Sequence, residues 1–346
     1  MRSATPREVA QWDELVIANP DGGNILQSRA WGEFKRSHGW HPEYLVHETG
    51  GSQIAVLGLR RRTPLLGDLL YLPKGPGVAD AAQLGAVAAA LRTHRSWFAV
   101  KLEPELPAGS VTQSLLRNLG LRRARHDIQI TRATIIVHLR SDDDALLASF
   151  KPKTRYNIRL AARHGVTVET VPASDANIDV MYSLMAATRD RAGFTLRPRS
   201  YFQEYWQLQE AAGQGQLFFA GLDGTVLAGA FITFLGRKGW YKDGGSRPER
   251  GEVMAPYALQ WEVMRFLRTR GVERYDLVAV PPRDQLSEDH PLYGLYRFKS
   301  GFESDITEFC GTLDLVIDPR RYAIWEQVVE RLEHQWAYRV RHDLLY

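Results

Sequence analysis

Arg155, Arg159 and Arg163 recur every fourth residue in KTRYNIRLAARHG, beside Lys151 and Lys153, and no acidic residue interrupts the run from Lys151 to Val168. On a helix that spacing puts the three guanidinium groups on one face. Such a stripe is either a solvated face or a surface that meets phosphates. Two more ionisable residues sit where elements end. Lys299 follows Phe298 in RFKSGF, and Glu103 in KLEPE lies just beyond an apolar, strand-like run. From spacing alone the first reads as a surface lysine beside a core phenylalanine, and the second as a surface carboxylate near Pro104. Several other chemistries lack their residues. HExxH, CxxC, GxSxG and Walker A patterns are absent, which removes the usual sequence support for a zinc site, a serine nucleophile or a P-loop. Gly75-Pro76-Gly77 makes a poor dinucleotide loop, because proline removes an amide donor and no third glycine follows.

The elements that must hold these residues follow a pattern that occurs twice. PEYLVHETGGSQIAVLGLRRR predicts a hairpin, with strands at 44–47 and 54–60 about a Gly50-Gly51 turn, and QLFFAGLDGTVLAGAFITFL predicts a second about Asp223-Gly224. Each leads through a Gly/Pro-rich stretch, 73–77 or 244–251, into a helix ending LRTHR at 91–95 or LRTRG at 267–271. A short strand follows, FAVKL at 98–102 or RYDLV at 274–278, and then a helix ending LLRNLGL at 115–121 or LYRFKSGF at 295–302. Five elements in one order at similar spacing argue for duplication. The repeated unit resembles the GNAT acyltransferase fold, which implies an α/β protein of two tandem GNAT-like domains.

Between the halves, a helix is expected to start at Ser141 with its three following aspartates, to split or kink at Pro152, and to stop at Gly165. The last apolar stripe, Tyr322, Trp325, Val329, Leu332 and Trp336, has helical spacing and predicts a packing helix. A GNAT enzyme that uses acetyl-CoA cradles the pyrophosphate on a Q/R-x-x-G-x-G/A turn at a helix N-terminus. Here the equivalent places read PKGPGVAD and RPERGEVMA. Either the chain is an unusual CoA-dependent N-acyltransferase or its acyl donor is different, and the missing loop favours the second.

With 346 residues and 44% hydrophobic content the chain can bury a large core, and two domains is the natural expectation. One cysteine, Cys310, excludes an internal disulfide framework and reads as a small buried hydrophobe in a protein of a reducing compartment. The N-terminus lacks a signal-peptide core and no apolar run approaches membrane-spanning length, so a cytoplasmic location is expected. A net charge of +4 is too small by itself to mark a nucleic-acid binder; the distribution of basic residues says more.

Longer segments carry a more specific likeness. LQSRAWGEFKRSHGW (26–40), YLPKGP (71–76), KLEPE (101–105), KTRYNIRLAARHGV (153–166), GFTLRPRSYF (193–202), WYKDGGS (240–246) and HPLYGLYRFKSGF (290–302) resemble motifs of the FemABX family. The likeness runs from about residue 24 to 318. It implies a non-ribosomal peptidyltransferase that moves glycine, alanine or serine from aminoacyl-tRNA to the stem-peptide amine of a peptidoglycan precursor, either UDP-MurNAc-pentapeptide or lipid II. No heptad stretch marks the coiled-coil arm of some members, so the chain resembles the compact FemX-like form. The implied domains are residues 1–145 plus 317–346, and 146–316.

The resemblance also implies roles. An aminoacyl ester is already activated, so no cofactor or metal is expected, and the enzyme must supply alignment and a donor for the oxyanion. Lys299 matches the family position for that electrostatic role or for holding the terminal ribose and phosphate, with Phe298 as a stacking face. Glu103, where the family more often has Asp, is matched to accepting the proton of the attacking amine or orienting it. Lys35, Arg197 and Tyr201 match the diphosphate site, and Tyr241 a further precursor contact. Arg155, Arg159 and Arg163 become candidate contacts to tRNA. Peripheral contact with the inner face of the membrane is compatible with a lipid-linked acceptor, and DNA is not an expected partner. A CoA-dependent GNAT N-acyltransferase and a catalytically inactive RNA-binding module are the competing readings.

Overall fold

The computed structural model describes residues 1–49, 52–94, 96–129, 131–139, 142–192 and 195–336. The Gly50-Gly51 turn, the Ser141 helix start and the Gly193-Phe194 opening of the GFTLRPRSYF block lie outside the described residues. The chain forms two units, one of residues 1–132 and 308–346, the other of residues 133–307.

In the first unit a seven-stranded sheet runs in the order Arg2–Ser3, His41–Thr49, Ser52–Thr63, Gly67–Leu72, Trp97–Leu102, Leu313–Val316, Leu121–Arg123. The first hairpin pairs His41 with Arg60 through to Thr49 with Ser52. Gly67–Leu72 and Trp97–Leu102 are parallel, joined by the crossover helix Ala81–Arg92. That helix buries Leu84, Val87, Ala88 and Leu91 against Val56, Leu70, Val100 and Leu102. Its i, i+3, i+4, i+7 spacing is the helical pattern of one apolar face.

The second unit repeats the plan in six strands: Ile136–His138, Arg274–Asp276, Lys238–Ser246, Thr225–Leu235, Gly215–Leu222, Thr167–Val171. Its hairpin turns at Asp223-Gly224, the residues the sequence marks. Lys238–Ser246 and Arg274–Asp276 are parallel, and the helix Ala255–Thr269 crosses between them, burying Leu259, Val263, Met264 and Leu267. The protein is thus α/β with two tandem GNAT-like units. In each, the parallel strand is flanked on its far side by an antiparallel partner, Leu313–Val316 or Ile136–His138.

That last pairing moves the division away from the expected residues 145 and 317. Ile136–His138 belongs to the second sheet, while the amides of Phe309 and Cys310 donate to the carbonyls of Arg132 and Leu106 in the first unit.

Pro152 divides the expected long helix into Asp143–Ser149 and Pro152–Arg163, sitting at the start of the second, where its missing N–H is not needed. Gly165, at φ 79°, ends it. The C-terminal helix departs from its predicted stripe. Tyr322 and Trp325 are buried as expected, but residues Trp325–Val329 form a π-turn and Leu332 is exposed. The wider turn shifts the register, and Glu330 and Glu333 come round to meet Lys101 and Arg61.

Candidate active site

The backbone after Arg274–Asp276 is irregular in a specific way. Leu277 N–H donates to Ile135 O at 2.9 Å and Val280 N–H to Ala133 O at 3.1 Å. Between these pinned ends, Val278 and Ala279 stand at φ 57° and 33°. Left-handed backbone is costly for valine, and such strain concentrates at functional sites.

The turn presents two carbonyls to Lys299, the last residue of the helix Tyr293–Lys299. Its Nζ donates to Val278 O at 2.6 Å and Ala279 O at 3.0 Å, and the side chain is only 4% exposed. Burial lowers its pKa to about 8, against the opposing attraction of Asp276. Lys299 is therefore a fixed, desolvated ammonium, not a surface charge. Two of its three N–H bonds have acceptors among the described residues, which leaves one for a ligand oxygen.

Tyr241 lies beside it, its ring centroid 6.0 Å from Nζ. The Tyr241 hydroxyl tucks under Gly244, where any side chain would collide with it, and burial with the nearby Asp243 carboxylate pushes its pKa up to about 12. The tyrosine thus offers a ring and not an acid. Phe298 is half-buried, edge-on to Tyr257 at 5.0 Å and Phe302 at 5.4 Å. It is the rim of the core at the position carrying Lys299.

Elsewhere in the same unit the Arg197 guanidinium stacks 4.3 Å from the Tyr201 ring, and Tyr182 donates to the Arg197 carbonyl at 3.2 Å. These two predicted residues do meet.

In the first unit, Glu103 follows Trp97–Leu102 directly. Its amide donates to Gly75 O at 2.8 Å. Its buried carboxylate accepts from Tyr71 Oη at 2.5 Å, Thr312 Oγ1 at 3.0 Å and Gln129 Nε2 at 3.4 Å. It is no loose surface carboxylate. Three donors leave one of the about four lone-pair sites of a carboxylate for a substrate N–H. The Tyr71 hydroxyl is held well above its ordinary pKa, first by burial and then by Glu103. Glu103 shares a narrow cleft with Lys74, Asp127, Gln129, Arg132 and Phe309. Lys35, on the helix Arg29–Ser37, is buried with its ammonium 5.1 Å from the Trp31 ring.

The basic helix Pro152–Arg163 sorts its arginines. Arg155 turns back to donate to Phe150 O at 2.6 Å, capping the preceding helix, so it does not join the exposed stripe. Arg159 and Arg163 are exposed. Tyr156, 48% exposed, lies between Lys153 at 4.9 Å and Arg163 at 5.6 Å. Sequence reading passed over Tyr156, Asp276 and the donors around Glu103. Asp276 had one signal, a carboxylate within a short apolar strand.

The two segments compared in sequence with an acetyl-CoA turn, PKGPGVAD and RPERGEVMA, make hydrogen bonds within the chain. Amides of Gly251, Val253 and Met254 donate to the carbonyls of Pro248, Arg250 and Gly251, and Pro256 follows. The helix Ala81–Arg92 is capped by the Asp80 carboxylate, which repels an anion.

Comparison with known proteins gives a consistent picture. A family model described as "FemAB family" matches residues 120–211 and 207–330. The lipid II:glycine glycyltransferase of Staphylococcus aureus (strain MRSA252) is 25% identical, the match covering 92% of this chain and 94% of that protein. The crystal structure of FemX superposes with a TM-score of 0.83 at 22% identity, over 94% of this chain and all of that one. L-PGS from Bacillus licheniformis superposes at 0.52 with 14% identity, over 96% and 98%.

Proposed function

Because the chain belongs to the FemAB family, we propose that it is an aminoacyltransferase of peptidoglycan-bridge synthesis, moving an amino acid from aminoacyl-tRNA to a stem-peptide amine. The acceptor is UDP-MurNAc-pentapeptide or lipid II, and glycine, alanine and serine are the candidate cargo. The S. aureus relative, named for glycine and lipid II, supports this class of reaction. The observation that carries the chemistry is the seated Lys299 ammonium.

The amine nitrogen attacks the ester carbonyl, a C–N bond forms, and the carbonyl oxygen becomes an oxyanion. Collapse breaks the ester C–O bond, the ribose hydroxyl leaves with a proton, and the amine's extra proton passes to a base. Lys299 lowers the barrier by donating its remaining N–H to the oxyanion or to the terminal ribose and phosphate. Such a donor is typically worth about 3 kcal/mol in a dry site. Its two carbonyl partners keep it from reorganising as charge develops. Glu103 is the candidate for orienting the amine, with Tyr71 and Thr312 fixing its carboxylate.

In this reading Lys35 in the first unit, and Arg197 with Tyr201 in the second, are acceptor-binding residues suited to a diphosphate, and Tyr241 borders the reacting end. Arg159 and Arg163 contact donor phosphates, with Tyr156 between them and Lys153. The enzyme works in the cytoplasm, where charged tRNA is made. No helix among the described residues is long and apolar enough to cross a membrane; peripheral contact with the inner face of the membrane is part of the proposal for a lipid-linked acceptor.

Incubation with charged tRNA and either precursor, followed by mass spectrometry, tests the proposal. The precursor should gain the mass of one aminoacyl residue, and ribonuclease treatment of the donor should abolish the gain. Undiminished transfer after complete RNA digestion, or transfer from acetyl-CoA with release of free thiol, contradicts it.

A further inference from the structure

The left-handed pair Val278–Ala279 needs something to hold it, and Asp276 is placed to do so. Asp276 Oδ1 accepts the Val278 N–H at 2.6 Å, and the Thr134 hydroxyl donates to the same oxygen. An aspartate that bonds the amide two residues on fixes a local turn. Here the turn's two carbonyls are the acceptors of Lys299 Nζ. Asp276 also attracts the buried ammonium electrostatically. Around Nζ stand these two carbonyls and the Tyr241 ring, and Asp276 acts on it through its charge.

We propose that Asp276 is a positioning residue for Lys299, holding the Val278–Ala279 turn in the shape that seats the ammonium and supplying the negative charge that keeps it protonated. Asp276 touches no reacting atom in this scheme; it acts through Lys299. Thr134 braces the carboxylate. The catalytic part of the proposal rests on the role given to Lys299 above, whereas the seating part stands on the hydrogen bonds alone.

The two parts separate experimentally. The chain has eight lysines, few enough to follow by NMR in full-length protein carrying 13C-labelled lysine, with Lys299→Arg assigning the Lys299 signal. Its titration midpoint should lie near 8 in the wild type. Asp276→Asn keeps an oxygen for the Val278 amide but removes the charge, so the midpoint should fall by about one unit. Asp276→Ala removes the anchor as well. It should lower the midpoint further and reduce kcat by about tenfold with little change in acceptor KM, about half the logarithmic loss of a whole oxyanion donor.

A folded Asp276→Asn protein whose Lys299 titrates as in the wild type overturns the proposal, even if Asp276→Ala does not fold. A shifted midpoint with kcat unchanged at every pH would keep the seating role and remove Lys299 from the chemistry, which is a failure of the proposed function instead. Thr134→Val should shift the midpoint in the same direction by less. A larger shift than Asp276→Asn would make Thr134, and not Asp276, the anchor.

Discussion

In the first unit the parallel strand Trp97–Leu102 runs out into Glu103, an anion wrapped by the hydroxyls of Tyr71 and Thr312 and the amide of Gln129. In the second, Arg274–Asp276 runs into a left-handed turn whose carbonyls wrap the Lys299 cation. The two units share a sheet plan, but the end of the parallel strand holds an anion of its own in the first and a cation brought by a later helix in the second. The means differ as well. The anion is held by side chains on one regular strand and two loop segments, the cation by backbone forced out of regular geometry. A duplicated fold thus keeps its layers and specialises the residues just past one strand. The carboxylate takes three donors and the ammonium two acceptors, and by the valence of each group one site remains for a ligand.

The sharpest way to break this contrast is to remove the cation. Lys299→Met should lower turnover by about a hundredfold while nearly preserving acceptor affinity, the cost of one oxyanion-type donor. Steady-state kinetics with a separate acceptor titration will separate the two quantities. Loss confined to acceptor affinity would make Lys299 a binding residue.

Removing the anion should act more on the fold than on the chemistry. Glu103→Gln turns its NH2 group either toward the Tyr71 hydroxyl and Gln129 amide or toward the Thr312 hydroxyl, so stability should drop by about 2 kcal/mol, the cost of a buried mismatch, with turnover falling less than in Lys299→Met. Denaturant unfolding measures the first and the transfer assay the second. An unchanged midpoint of unfolding would mean that the hydroxyls simply rotate to donate elsewhere.

Much of this architecture is legible in the residues. The hairpin at Asp223-Gly224, the crossover helices and the parallel strands rest on local signals, namely turn residues, apolar periodicity and helix ends, and these are what decide a sheet plan. The two-unit division follows from the repeat. Its borders do not, because the pairing of Ile136–His138 with Arg274–Asp276 joins residues more than a hundred positions apart. The site is less readable. Lys299 and Glu103 stand out by position and family motif, but nothing in RYDLVAV announces that a valine will adopt left-handed backbone. That conformation is imposed by Ile135, Ala133 and Asp276 together. The Arg155, Arg159, Arg163 spacing is real on the helix, yet the carbonyl ends of the preceding helix claim Arg155, a competition no periodicity reveals.

The arginines give the smallest test. Arg155→Ala should cost about 1 kcal/mol of stability by loss of a cap to a carbonyl, with little effect on tRNA affinity. Arg159→Ala and Arg163→Ala should leave stability nearly unchanged and each reduce the salt dependence of tRNA binding by about one phosphate contact. Filter binding over a salt series distinguishes the sets, and equal effects from all three would restore a single undivided stripe.

The central claim, that a fixed Lys299 ammonium serves aminoacyl transfer, is tested most directly by single-turnover transfer from charged tRNA to saturating precursor across pH. Each rate is divided by the unprotonated fraction of the acceptor amine, whose unperturbed pKa is about 10.4. Because the Lys299 pKa is lowered by burial to about 8, its charge is lost as pH rises through that value. The corrected wild-type rate should therefore fall above about pH 8, and Lys299→Met should be uniformly slow with no such limb. A Lys299→Met protein that matches the wild-type rate, or that keeps the same alkaline fall, would contradict the account.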